Sequence, residues 1–291
     1  MTHLQSSSTI PIDIGSRLEL MVDEYLIARL SGGAELRLNK PIPREAALVM
    51  DKPWEGNACG YTTIFQDGDI YRMYYTALQY EMTETTLDQP SGVICYAESD
   101  DGIHWEKYRG AEPVMDIGLP GSLDAIQADG MSILRIDDQF VMWYAGYAGV
   151  DHGAHRLGIA TSPDGMHWTK GYRSNRGQPL AGLAGKQQLG PSVYFDGENY
   201  LMLYNTHWQG GWATFLATSR DGVHWGGGSG DQRILPESPA GNFDTAGRGR
   251  NYSGSPSRLI PVGDRFRVWY GAEDGSPPHS VCIGLMETEE F

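Results

Sequence analysis

The chain has 291 residues, of which 40% are hydrophobic and 11% aromatic, enough to bury a large core within one domain. Its formal net charge of −15 would repel nucleic-acid phosphates and anionic membrane surfaces, so we expect neither as a partner. A neutral or mildly acidic ligand fits the charge better. The three cysteines, Cys59, Cys95 and Cys282, are far apart and lack metal-ligand spacing, which predicts buried thiols rather than disulfides or a zinc site.

The start of the sequence and its hydropathy bear on location. The first residues, MTHLQSSSTIP, show no basic region followed by an apolar stretch, so no signal peptide is visible and a cytoplasmic location is expected. No run approaches the roughly 18 apolar residues needed to span a bilayer. We therefore expect a soluble protein.

The predicted elements, in chain order, are short strands. Three strand candidates come first, at residues 18–22, 25–30 and 34–38. Four units follow, each with an apolar segment, a turn and an aromatic strand. Their paired segments are residues 62–65 and 70–75, 131–136 and 140–144, 192–195 and 200–204, and 257–260 and 265–270. Helical periodicity is nearly absent, so the predicted fold class is all-β.

Three of these units continue into the phrase Ser-x-Asp-Gly-x-x-Trp, at residues 99–105, 162–168 and 219–225. Each phrase follows a short apolar run and is typical of a strand that enters an Asp-Gly turn, with the tryptophan opening the next strand. An active site needs unlike residues, whereas these phrases are alike. We therefore predict that Asp101, Asp164 and Asp221 lie in equivalent outer turns, away from any pocket.

The repeats predict the overall architecture. Four units of about 60 residues, together with the first strand candidates, predict a five-bladed β-propeller that forms a single domain over residues 1–291. The last unit stops before a fourth strand, so we expect the segment before Ile14 to supply it and to close the ring between the two termini. Closure removes exposed sheet edges.

The Asp-Gly-Trp phrases, the aromatic second strands and the unit length resemble the five-bladed propeller glycoside hydrolases, the superfamily of invertases, levansucrases, arabinanases and β-xylosidases. Residues 20–27, LMVDEYLI, and 52–57, KPWEGN, further resemble bacterial relatives of glycosyl hydrolase family 32. The resemblance implies a glycosidase that acts on an oligosaccharide or glycoside in a pocket on the propeller axis. It also implies that the residue beginning each innermost strand faces that pocket.

One acidic residue stands at such a position. Aligning the repeats on their aromatic strands makes Gly60, Asp129, Leu189 and about Gly254 equivalent. Only Asp129 is acidic, so we expect it in the axial pocket, as a base or as the carboxylate that tunes its partner. The resemblance implies a general acid in the third catalytic blade, often a Glu before Gly-Pro, but here Leu189 occupies that place.

Cleavage of a glycosidic bond needs one carboxyl group to protonate the leaving oxygen and another to activate water or attack carbon. The second carboxyl group must then come from a loop, and our candidates are Glu55, Asp124 and Asp244. Asp124 is close enough to Asp129 in sequence for both to approach the axis, where like charges would separate their pKa values. Alternatively, Asp124 caps the turn that precedes it.

Sugar binding needs flat apolar faces and fixed hydrogen-bond donors, which loops around a pocket supply. The candidates in turns that flank the inner strands are Trp54, Asn57, Tyr61, His152, Gln188, His207, Trp208, Arg248, Arg250 and Tyr252. The two arginines among glycines suit phosphate, an anionic sugar or neighbouring carboxylates equally well.

Two alternatives to a hydrolase remain open: a glycoside phosphorylase of the family 130 type and a non-catalytic carbohydrate-binding propeller. Phosphate-dependent turnover would identify the first, and sugar binding without turnover the second. No nucleotide-binding motif competes with these functions. His152, His155 and His207 show no metal-ligand spacing, so we expect no cofactor, although the resemblance allows a calcium ion on the axis.

Overall fold

The computed structural model describes residues 15, 27–37, 42–82, 87–108, 110, 112–149, 155–185, 187–208, 211–226, 234, 259–262, 265–273 and 281–288. The chain divides into two compact units, Met1–Ala46 and Ala47–Phe291. Every strand named below lies in the second unit. The described residues contain strands and turns but no helix, and so no helix long and apolar enough to cross a membrane.

The strands form four repeats of an antiparallel meander. Repeat 1 contains β1 (Ala58–Asp67), β2 (Ile70–Met82), β3 (Leu87–Ser99) and β4 (Glu106–Lys107). Repeat 2 contains β5 (Gln127–Ile136), β6 (Gln139–Tyr147), β7 (Arg156–Ser162) and β8 (Thr169–Lys170). Repeat 3 contains β9 (Gln188–Phe195), β10 (Tyr200–Trp208) and β11 (Gly211–Ser219), and repeat 4 contains β12 (Ile260–Val262), β13 (Arg265–Glu273) and β14 (Val281–Thr288).

These repeats match the units read from the sequence. Repeats 3 and 4 are separate three-stranded sheets, whereas repeats 1 and 2 join through one parallel pairing between Gly92 and Gln127. The all-β class and the repeated meander are therefore confirmed. The count of five blades and the closure between the termini stay predictions, because residues 1–14 and 16–26 lie outside the described part of the chain.

Neighbouring repeats face one another through their first strands. The Thr63 hydroxyl donates a 2.9 Å hydrogen bond to the Met131 carbonyl oxygen, which joins β1 to β5. The Val193 N–H donates a 3.0 Å bond to the Ser132 hydroxyl, which joins β9 to β5. The first strands of three successive repeats thus lie side by side, as the innermost strands of a propeller do.

The hydrophobic core lies between the repeats. Tyr74 of repeat 1 packs with Tyr144 of repeat 2, and both side chains are fully buried. Trp143 of repeat 2 packs in the same way with Phe215 of repeat 3. A smaller cluster joins repeats 3 and 4. Because the sheets of repeats 2 and 3 bury both faces against their neighbours, their strands are rich in aromatic and β-branched residues on both sides.

The three Asp-Gly-Trp phrases form one local structure, as predicted. In each, the aspartate Oδ1 accepts hydrogen bonds from the backbone N–H groups two and three residues later, and Oδ2 lies 2.7 Å from the histidine Nδ1. Each turn follows the third strand of its repeat, at the opposite end of the sheet from the beginning of the first strand. Asp101, Asp164 and Asp221 are therefore equivalent and lie away from Asp129.

The cysteine prediction is confirmed in part. Cys95 is a buried free thiol in β3, where burial raises its pKa to about 12. Cys59 is also free but exposed, so the expectation of burial is wrong for it. It is the second residue of β1, whose side chains alternate between the two faces of the strand.

Candidate functional site

The first strands of repeats 1, 2 and 3 begin with the same irregularity. The strand pairing shifts between Gly60 and Thr63 in β1 and between Asp129 and Ser132 in β5, and the partner of Leu189 in β10 shows a matching shift. The second residue of each bulge is left-handed: φ is 49° at Tyr61, 52° at Gly130 and 55° at Gly190. The predicted equivalence of positions 60, 129 and 189 is therefore confirmed, whereas Gly254 lies outside the described residues.

The three bulges meet. A β-carbon built on Gly130 would lie 3.8 Å from Cδ1 of Tyr61 and 3.8 Å from the backbone nitrogen of Gly190. The ring of Tyr61 and the backbone of Gly130 and Gly190 therefore bring three repeats together beside Asp129. We call this convergence the bulge site, which comprises Gly60, Tyr61, Asp129, Gly130, Leu189 and Gly190.

Asp129 is the acidic member of the bulge site and is only 2% exposed. Its Oδ2 accepts a hydrogen bond from the Gln127 amide, and its Oδ1 has no hydrogen-bond partner among the described residues. Burial raises the pKa of Asp129 to about 7, and the hydrogen bond from Gln127 opposes that rise only partly. Close to neutral pH this carboxyl group can therefore either donate or accept a proton.

Gln127 is a neighbour that sequence reasoning missed. It begins β5, and a β-carbon on Gly92 would lie 2.8 Å from its Cγ, so only glycine leaves room for this side chain. Close contact with β3 thus orients the amide that binds Asp129. The residue stands two positions before Asp129, on the same face of the strand, which is the signal that could have identified it.

A stacked aromatic pair lies at the same end of the sheet. Tyr147, which pairs with Gln127 in the β5–β6 register, stacks on His155 with 4.6 Å between ring centroids and 20° between ring planes. Burial lowers the pKa of His155 to about 4, so its imidazole is neutral at neutral pH. This end of the sheet therefore carries one carboxyl group that titrates near neutrality and one histidine that does not.

Glu55 has a different environment. It is 1% exposed and accepts hydrogen bonds from the Tyr75 hydroxyl at 2.6 Å and from Lys107 Nζ at 2.6 Å. Burial alone would raise the pKa of Glu55, but these contacts and two backbone N–H groups together lower it. Glu55 is thus a buried carboxylate that is fully engaged by its own repeat.

Asp124 repeats that arrangement in repeat 2. It is 1% exposed, accepts a 2.9 Å hydrogen bond from the Tyr144 hydroxyl, and lies 2.7 Å from Lys170 Nζ. Tyr144 and Lys170 hold the same places in repeat 2 as Tyr75 and Lys107 hold in repeat 1. The recurrence of acid, tyrosine and lysine favours a structural role for both carboxylates, and their catalytic assignment stays a prediction.

The other predicted ligands are placed as follows. Asn57 binds the backbone of Tyr80 reciprocally, through two side-chain hydrogen bonds of 2.9 Å. Gln188 is 1% exposed and contacts the backbone of Leu157, Leu183 and Ala184. Trp54 packs on the core of repeat 1, whereas His207 is exposed at the end of β10. Of these four residues, Asn57 and His207 are exposed, and the side chain of Asn57 is bound to the backbone of Tyr80.

Several predicted site residues lie outside the described residues, namely His152, Asp244, Arg248, Arg250 and Tyr252. For Trp208 the backbone at the end of β10 is described but the side chain is not. The described residues contain no group of three or more His, Cys, Asp or Glu side chains that could hold a metal ion. The axial calcium ion and the expected lack of a cofactor therefore stay untested.

Comparison with known proteins bears on the fold. No family model matches the sequence. Over 141 residues, 46% of this chain and 44% of the relative, the sequence is 28% identical to a β-1,2-mannobiose phosphorylase from Thermoanaerobacter. The chain spans less than half the length of the curated relatives that it matches.

Two solved structures show the fold. One, reported with glycoside hydrolases of family 130 that target β-1,2 mannosidic linkages in Candida mannan, gives a TM-score of 0.56 at 19% identity over 80% of this chain and 67% of that one. The other, a β-1,2-mannobiose phosphorylase from Listeria innocua, gives 0.54 at 12% identity over 84% and 74%. The fold is that of the propeller glycosidases. The resemblance drawn from the Asp-Gly-Trp phrases is thereby confirmed at the level of the fold.

Proposed function

We propose that this protein cleaves a glycosidic bond and that Asp129 carries the proton of that reaction. The observation that supports this most is the Asp129 carboxyl group itself: buried where three strands converge, with a pKa of about 7 and one oxygen unpartnered among the described residues. Burying such a group without a task is costly. A carboxyl group that is partly protonated at neutral pH can protonate the oxygen of a leaving sugar.

Phosphate is the acceptor that the described carboxylates favour. Hydrolysis needs a second carboxyl group to activate water, whereas phosphate is already an anionic nucleophile. The two candidates for that second group within the described residues, Glu55 and Asp124, are each paired with a lysine. In phosphorolysis a phosphate oxygen bonds to the anomeric carbon as the glycosidic C–O bond breaks, and the Asp129 proton passes to the departing oxygen.

A basic site for phosphate belongs to the same proposal. Guanidinium groups bind phosphate through paired hydrogen bonds, and Arg248 and Arg250 are the residues that the sequence offers. The curated relative and one of the structural neighbours are both β-1,2-mannobiose phosphorylases. We therefore propose a β-linked mannoside as the first substrate to test.

Hydrolysis is the second candidate, because the other structural neighbour was reported with hydrolases of β-1,2 mannosidic linkages. In that case Asp244 is the remaining predicted source of a second carboxyl group. The two reactions differ in their products. Phosphorolysis of mannobiose gives mannose and mannose 1-phosphate, whereas hydrolysis gives mannose alone.

The test is an incubation of the purified chain with β-1,2-mannobiose and a panel of other disaccharides, each with and without inorganic phosphate, with products read by NMR. Sugar phosphate formed only when phosphate is present supports the proposal. Free sugar formed without phosphate identifies a hydrolase instead. Binding of a disaccharide without either product identifies a carbohydrate-binding propeller and overturns the catalytic proposal.

A matched pair of variants connects the result to the site. Asp129→Asn keeps the shape of the side chain and removes its titration, and it should lower turnover by about 10²- to 10⁴-fold. Glu198→Gln makes the same chemical change on a side chain that is 74% exposed in the β9–β10 turn, and it should leave turnover unchanged. Equal activity in both variants would contradict the assignment of Asp129.

A further inference from the structure

Tyr61 occupies a backbone position at which repeats 2 and 3 have a glycine. Its φ of 49° matches 52° at Gly130 and 55° at Gly190. A β-carbon makes this left-handed conformation unfavourable, and a bulky side chain is especially rare there. The chain thus keeps a tyrosine where its own repeats show that glycine would meet the backbone requirement.

Burial of the ring does not explain why a tyrosine stands at this position. The Tyr61 side chain is 50% exposed, one of the large hydrophobic residues left in contact with solvent. By contrast, the aromatic residues of the second strands, such as Tyr74 and Trp143, are fully buried. A strained backbone under a half-exposed aromatic ring is a combination that stability alone would not select.

The ring is placed beside the proposed proton carrier. Cδ1 of Tyr61 lies 3.8 Å from the point where a β-carbon of Gly130 would stand, and Gly130 directly follows Asp129. Because Gly130 has no side chain, nothing from that residue separates the ring from the space above the bulge. The exposed part of the ring therefore borders the place where a sugar would meet Asp129.

We propose that Tyr61 is a stacking platform that positions a sugar ring over Asp129, an inference that rests on the proposed function. An aromatic face offers a flat apolar surface to the C–H groups of a pyranose, and the rigid bulge fixes its angle. Tyr61 positions the substrate and takes no part in proton transfer. The backbone strain persists because ligand binding needs the ring at that point.

Three variants of the whole chain test this. Tyr61→Gly removes the ring and relieves the backbone, whereas Tyr61→Phe keeps the ring and removes the hydroxyl group. Asp137→Gly is the matched control, since Asp137 has a φ of 54° but follows the far end of β5, about 25 Å from Asp129 at roughly 3.3 Å per residue. For each variant, the melting temperature and the Kd for β-1,2-mannobiose are measured, the latter by isothermal titration in the Asp129→Asn background.

Tyr61→Gly should weaken sugar binding about ten-fold without lowering the melting temperature. Tyr61→Phe should bind within about two-fold of the parent, and Asp137→Gly should leave Kd unchanged. If Tyr61→Gly binds as tightly as the parent, or if it melts several degrees lower, the ring is structural and the inference is overturned. If the parent chain binds no mannobiose or any other disaccharide of the panel, the inference fails with the proposed function.

The two ideas also separate. If the chain binds sugar through Tyr61 but turns over no substrate, the stacking role of Tyr61 is supported and the proposed enzymatic function is contradicted. If the chain turns over mannobiose and Tyr61→Gly leaves KM unchanged, the enzymatic function is supported and the stacking role of Tyr61 is contradicted.

Discussion

The Tyr74 hydroxyl donates a 2.7 Å hydrogen bond to the carbonyl oxygen of Gly165, which lies in the Asp-Gly turn of the next repeat. Trp143, the corresponding residue of β6, donates from Nε1 to the Gly222 carbonyl oxygen at 2.9 Å in the repeat after that. In β10 the corresponding residue is Leu203, and no further Ser-x-Asp-Gly-x-x-Trp phrase follows in the sequence. A donor is thus present where the next repeat offers this turn and missing where it does not.

Removing one of these donors should loosen the contact between two repeats. Tyr74→Phe removes one of the two hydrogen bonds that the Gly165 oxygen accepts, the other coming from Trp168 Nε1, and we expect a loss of about 1 kcal/mol in the free energy of unfolding. Urea denaturation measures it. Tyr71→Phe in the same strand is the control, because the Tyr71 ring packs against the turn of its own repeat, and it should cost less. An equal loss in both variants would contradict the role assigned to Tyr74.

The Asp-Gly turns should also make the protein sensitive to acid. Burial would raise the pKa of Asp164, but backbone N–H groups and the His167 imidazole bind its carboxylate and hold the pKa well below that of an ordinary aspartate. A carboxylate with a lowered pKa in the folded state stabilises the protein above the pKa of the unfolded chain, and this contribution is lost as the pH falls below it.

Asp164→Ala should therefore melt several degrees below wild type at pH 7, and the gap should narrow below about pH 4. Thermal melts across that range, read by circular dichroism, measure the gap. Turnover well below the melting temperature should be unchanged, since the turn lies at the opposite end of the sheet from Asp129. Lost turnover with unchanged melting would contradict the architectural assignment.

Much of the fold was predictable from the sequence because its signals are local. The serine two residues before the aspartate and the histidine three residues after it both bind the aspartate, and these short-range hydrogen bonds fix one structure for the Asp-Gly turn, so three copies were enough to define the repeat. Alignment of the repeats then placed Asp129 at the beginning of a first strand without any structural knowledge. The bulge at that position recurs with the same repeat.

The roles of the loop carboxylates were not predictable in this way. Glu55 and Asp124 were chosen because they precede first strands, but their partners, Lys107 and Lys170, come from the fourth strands, 52 and 46 residues later. Such contacts depend on how the sheet folds back, which no local pattern encodes. Comparing the Trp-x-Lys sequences of the two repeats was the one available signal.

The contacts of Asp124 predict that it stabilises repeat 2 rather than taking part in catalysis. Lys170→Met leaves a carboxylate that is 1% exposed without its cation, and we expect a loss of about 3 kcal/mol or more in the free energy of unfolding. Asp124→Asn combined with Lys170→Met removes both charges and should restore part of that loss. Chemical denaturation of wild type, Lys170→Met and the double variant gives the three free energies of unfolding.

Turnover of the single Asp124→Asn variant distinguishes a structural role of Asp124 from a catalytic one. If it is structural, the folded Asp124→Asn variant should keep kcat within a few-fold of wild type. A fall in kcat by orders of magnitude at unchanged stability would instead support the catalytic role that the sequence suggested.

The pKa of Asp129 predicts linked changes in stability and rate. Burial raises this pKa from 3.8 to about 7, so the folded protein favours the neutral form. A carboxyl group with a raised pKa contributes stability that is fully present below the unfolded value and is lost as the pH rises to the folded value. Asp129→Asn lacks that dependence, so its advantage in melting temperature over wild type should grow from about pH 4 to pH 7 and then level off.

The rate should respond to the same proton. If Asp129 protonates the leaving oxygen, kcat/KM for β-1,2-mannobiose falls above about pH 7, and Asp129→Asn lowers it by about 10²- to 10⁴-fold below that pH, with a smaller difference above it. His155 does not produce that limb, because its pKa is near 4. A pH–rate profile of wild type, with Glu198→Gln as the control, measures the limb. If kcat/KM does not change across pH 7 and the Asp129→Asn variant is active, Asp129 does not act as the proton donor.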